Sequence, residues 1–99
     1  MPHYFCKLTP PRPSFPADIT PDEAALMGTH AAYWRARMDE GAVVVFGPVD
    51  DPAGAYGILV LQLPEGADPQ PLVDADPVIR AGTGFRFEVH PMRAVLPAG

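Results

Sequence analysis

Two hydrophobic periods alternate along the chain, and together they predict an order of elements. Residues 2–8 (Pro-His-Tyr-Phe-Cys-Lys-Leu) read as a strand rich in aromatic side chains, with Tyr4, Cys6 and Leu8 at alternate positions. The next segment, Thr9-Pro10-Pro11-Arg12-Pro13-Ser14-Phe15-Pro16, cannot be regular helix or a central strand, because each proline fixes φ and removes a backbone donor. It is an extended, proline-rich loop over residues 9–19, with Phe15 able to pin it to the body. Thr20-Pro21-Asp22-Glu23 then carries a complete helix start: a capping threonine, a proline in the first turn and a glutamate that closes a capping box. Met27, Ala31, Trp34 and Met38 repeat at helical spacing as an apolar stripe, and Leu26, His30, Tyr33 and Arg37 form the stripe beside it. The helix runs to about Glu40, and Gly41 supplies its left-handed stop.

Beyond Gly41 the period changes. Residues 42–46 are a continuous apolar run, read as a strand buried on both faces and stopped by Gly47-Pro48. Asp50-Asp51-Pro52-Ala53-Gly54 is a turn, and residues 55–63 form the next strand, joined to the previous one as a hairpin. Pro64-Glu65-Gly66-Ala67 breaks the chain again. Asp68-Pro69 starts a short second helix to about Asp76, with a further turn over 78–82. The last strand spans 84 to about 95, with Phe85, Phe87 and Val89 on one side and Arg86, Glu88 and His90 on the other. The order βαββαβ predicts an α+β, ferredoxin-like domain over residues 1–99: a four-stranded antiparallel sheet with two helices on one face. The other face is left bare, which predicts a homodimer.

Composition narrows the function. The 99 residues carry a formal net charge of −5, and the seven lysines and arginines are scattered, so neither a nucleic-acid footprint nor an anionic-membrane patch is expected. Cys6 is the only cysteine and reads as a small buried hydrophobe. With no signal-like start and no apolar run of about 20 residues, the cytoplasm is the expected compartment. No Gly-rich phosphate loop, Cys-x-x-Cys pattern or Ser-His-Asp set occurs, so no cofactor is expected. His3 and His90 lie on different strands and lack a third ligand for a metal.

The chemistry that stands out is His30 and Asp76. If the strands flanking them are the inner strands of one sheet, the two meet above it, and a histidine beside a carboxylate can move protons near neutral pH. The plainer alternatives are a helix histidine bonded to a carboxylate for packing, and an aspartate that caps a turn before Pro77. Arg86 is a candidate anion clamp if its strand face lines the cleft, and otherwise a solvated or dimer-interface charge. Phe46 and Tyr33 are candidate substrate contacts, although Tyr33 and Trp34 read more simply as core.

Several short features occur together: His30-Ala31-Ala32-Tyr33, Gly41, Gly47-Pro48, an aliphatic strand, Asp74-Ala75-Asp76-Pro77-Val78, Gly82, and a last strand ending His90-Pro91. In order and spacing they resemble the YCII-related family of small bacterial proteins. The resemblance implies a dimeric α/β barrel and an active-site pair formed by a helix histidine and the aspartate of an Asp-Pro motif, here His30 and Asp76. Relatives include a dehydrochlorinase that acts on a chlorinated hydroxyquinol, and the barrel resembles that of muconolactone isomerase. The proline-rich loop and the short, proline-laden second helix depart from the family pattern. The expected function is a small enzyme of lyase or isomerase type acting on a small organic molecule, aromatic-derived or lactone-like. The alternative is a non-catalytic dimer that binds a small ligand or serves as an interaction module.

Overall fold

The computed structural model describes residues 1–98. Along the chain run β1 (His3–Thr9), α1 (Pro21–Asp39), β2 (Val43–Val49), β3 (Tyr56–Gln62), α2 (Gln70–Asp74), α3 (Pro77–Arg80) and β4 (Arg86–Met92). The strands form a four-stranded sheet in the order β2-β3-β1-β4, and every neighbouring pair is antiparallel. This is the α+β, ferredoxin-like sheet expected from the order of elements.

The alternation in each strand decides which side is buried. Cys6 and Leu8 of β1 pair with Leu59 and Gly57 of β3 and with Val89 and Phe87 of β4, so these residues share one face. Trp34 from α1 and Val73 from α2 pack on that face against Cys6, Val43, Leu59, Leu61 and Leu63. Val78 of α3 packs with Leu8 and Phe85 in a second cluster, and Phe15 of the proline-rich loop lies against it. The opposite face carries Phe5 and Lys7 of β1, Val45 of β2, Val60 of β3, and Arg86 and Glu88 of β4. No helix among the described residues is long and apolar enough to cross a membrane.

Helix α1 begins and ends as its sequence dictates. Glu23 N–H donates to Thr20 Oγ1 at 3.1 Å, and Thr20 N–H donates to Glu23 Oε1 at 3.0 Å. At the other end Gly41 takes φ +88° and its N–H reaches Met38 O at 2.9 Å. Of the expected apolar stripe only Trp34 is fully buried; Met27 and Met38 are half-buried and Ala31 is exposed. The helix stands off the sheet at its N-terminal half, and a cavity occupies the gap.

Three boundaries differ from the sequence reading. Strand β2 continues through Gly47-Pro48 to Val49, because it is an edge strand, where a missing backbone donor is tolerated. For the same reason it is not buried on both faces, and Val45 is 47% exposed. The second helix is two short pieces: Pro77 holds Asp76 extended at φ −59° and ψ 130°, which ends α2 and starts α3. Strand β4 is shorter than 84–95, since its ladder with β1 runs only from Arg86 opposite Thr9 to Met92 opposite His3.

Candidate functional site

The break between α2 and α3 places a carboxylate in the protein interior. Asp76 is 0% exposed. Its Oδ1 accepts the Val78 N–H at 2.9 Å, which caps α3. Its Oδ2 accepts the Trp34 indole N–H at 2.6 Å and lies 2.7 Å from His30 Nδ1. His30 and Trp34 are one turn apart on α1, so their side chains reach the same point. An ionised carboxylate in this position accepts from His30 Nδ1, and in the neutral imidazole that leaves Nε2 as the accepting nitrogen. Three N–H groups thus compensate the buried carboxylate, which in turn orients an imidazole whose side chain is still 15% exposed.

The exposed edge of His30 lines a pocket of about 350 Å³. Met27, His30 and Ala31 of α1 form one wall, and Leu8, Leu59 and Phe87 form the sheet floor. Phe46, Pro48 and Asp50 border it along β2 and the turn after it, while Pro10, Phe15 and Pro16 belong to the loop that crosses above. Phe15 meets Phe85 edge to face, with ring centroids 5.5 Å apart. No lysine or arginine lines the pocket among the described residues.

The loop is held in place by charge. Arg12 donates to both carboxylate oxygens of Glu23, each at 2.7 Å, and to Asp18 Oδ1 at 2.9 Å. Hydrogen bonds from Arg12 and then from the Thr20 backbone hold the Glu23 carboxyl down at about 2. Ser14, donating at 2.6 Å, and Arg12 likewise lower Asp18. The same glutamate therefore caps α1 and ties down the loop over the pocket. Next to Arg12, Pro11 packs on Gly84 just before β4: Gly84 has φ +104°, and a Cβ there would sit 3.0 Å from Pro11 Cβ, so the loop packs tightly against a residue that must be small.

The residues singled out in the sequence fall in different places. His30 and Asp76 are brought together, and Phe46 lines the pocket beside them. Tyr33 does not reach it; its hydroxyl donates to Leu72 O at 2.7 Å, its ring meets Trp34 edge to face, and Arg37 lies over it. Arg86 does not reach it either. It alternates with Phe85 and Phe87, so once those phenylalanines pack beneath the helices Arg86 projects from the opposite face, into a separate cleft with Lys7 and Thr9. Burial pushes the Cys6 thiol up to about 12, which makes it inert as a nucleophile.

Three contributors were not singled out. Trp34 reads as core but also donates to Asp76, and its spacing from His30 was the available signal. Phe15 reads as an anchor and Asp50 as a turn residue; both border the pocket. Curated protein sequences yield no match to this chain. The YCII-related domain matches it over residues 4–93, from the second residue of β1 to just past β4, and the chain belongs to that family.

Proposed function

We propose that the protein is a small enzyme of lyase or isomerase type, with His30 as its acid/base and Asp76 as the residue that positions it. The observation that carries this reading is the 2.7 Å contact between His30 Nδ1 and a fully buried Asp76, on an imidazole that borders an open pocket. In the proposed step Nε2 takes a proton from a carbon next to a carbonyl. The C–H electron pair becomes a C=C bond as the carbonyl π pair moves onto oxygen, and Asp76 offsets the charge gained by the imidazolium. Return of the proton at another carbon gives isomerisation; loss of a halide or hydroxide from the adjacent carbon gives elimination. The bare sheet face is proposed to bind a second copy of the chain.

A second reading is favoured by one feature. No cationic side chain borders the pocket to stabilise an enolate oxygen, as expected of a module that binds a small ligand without turning it over. Deuterium exchange into a panel of cyclic ketones, followed by NMR, separates the two. The enzyme reading expects exchange that falls by about 10²–10⁴-fold in His30→Gln. Exchange that is absent, or indifferent to that substitution, favours the binding module.

A further inference from the structure

We propose that the pocket beside His30 takes an uncharged one- or two-ring molecule with a hydroxyl as its polar end, and that it discriminates against carboxylates. The proposal rests on the reading of His30 as the working group of this site and names the substrate class that the surrounding residues accept.

The walls argue for a ring. Phe15, Phe46, Phe85 and Phe87 all border the space, with Leu8 and Met27 completing an apolar surround. Phe15 and Phe85 already meet edge to face at 90°, the geometry in which an aromatic guest would add to such a cluster. At about 350 Å³ the volume lies at the low end of the range of about 300–1,000 Å³ for small-molecule sites, which suits one or two rings.

The charges argue against an acid. A carboxylate leaving water must find a cation or several donors. Lys7 and Arg86 open onto the separate cleft, where Lys7 lies 4.4 Å from the Tyr56 ring centre. Arg12 is engaged by Glu23 and Asp18. The carboxylate that lines the pocket, Asp50, would repel another. Asp50 is exposed and takes part in no side-chain hydrogen bond among the described residues. It is an acceptor without a partner, suited to a ligand hydroxyl.

Titration calorimetry with naphthol and naphthoate at neutral pH tests this. The two share a ring system and differ in charge. Naphthol is expected to bind at least about tenfold more tightly, about 1.4 kcal/mol. Asp50→Asn, at an exposed turn position, is expected to narrow that gap by admitting naphthoate. Equal or tighter binding of naphthoate, or no binding of either compound, overturns the proposal. The catalytic reading is judged separately. Charge selectivity that persists in His30→Gln, with no His30-dependent exchange on any ketone, upholds the proposal and removes the enzyme. His30-dependent exchange confined to keto acids upholds the enzyme and overturns the proposal.

Discussion

Asp76 is the residue on which the helical layer and the candidate chemistry both depend. It caps α3 through Val78 and ties that turn to α1 through Trp34 and His30. The side chains of His30, Asp76 and Trp34 contribute unequally to stability. His30→Ala removes one hydrogen bond at the margin of the core and leaves Asp76 with two donors, so the expected loss is about 0.5–1.5 kcal/mol. Asp76→Ala removes a cap worth about 0.5–2 kcal/mol and strands the buried indole N–H at a further cost of about 1–3 kcal/mol. Trp34→Ala empties the largest buried side chain of the core and is expected to lose about 3–5 kcal/mol. Urea denaturation of the three variants should therefore rank His30→Ala mildest. If it matches Trp34→Ala, His30 is a structural residue and the acid/base reading loses its motive. The meeting of His30 with Asp76 was legible in the sequence, because helix position and the Asp-Pro break place both above the inner strands. The role of Arg86 was not. Its strand alternates cleanly, but alternation does not say which face the cavity occupies.

Among the elements, the proline-rich loop borders the pocket without belonging to the sheet or a helix. Its prolines forbid regular structure, and that much the sequence states. Its path does not follow from its prolines; it follows from Arg12 reaching Glu23, eleven residues away, and from Phe15 settling on Phe85. Strand β2 shows the same limit in another form. Gly47-Pro48 reads locally as a stop, yet at a sheet edge the ladder tolerates it. The latch between loop and helix has a pH signature. Glu23 is held at about 2 in the folded protein, below its unfolded value of about 4.3. A depressed carboxyl stabilises the fold above its unfolded pKa, and that stability is lost as pH falls through the window from about 4.3 to about 2. Melting temperature is accordingly expected to drop more steeply across that window in the wild type than in Arg12→Ala, which keeps the Thr20 contact but not the ion pair. Parallel curves would show that the latch contributes nothing to stability.

On the scale of the whole molecule, the asymmetry of the two sheet faces is the main unresolved energetic fact. One face is covered by three helices and the loop; no helix covers the other, where Val60 is buried and Val45 is exposed. The β2–β3 half of that open face is apolar, with Val45 and Val60, and Val45 is the most exposed of the strand valines at 47%. The β1–β4 half carries Lys7, Arg86 and Glu88, opposite charges that a twofold axis could set against one another. A second copy would remove Val45 from water at about 25 cal/mol per Å² and leave the charged half to set the register. Bare alternation in the strands shows that such a face exists, but its partner lies outside any single chain. Sedimentation equilibrium at micromolar concentration is expected to report twice the 10.6 kDa chain mass. Val45→Arg, which places a charge at the centre of the apolar half on an edge strand, is expected to return the protein to monomer with its circular dichroism unchanged. A wild type that sediments as a monomer overturns the dimer. A Val45→Arg variant that remains dimeric places the interface elsewhere on the molecule.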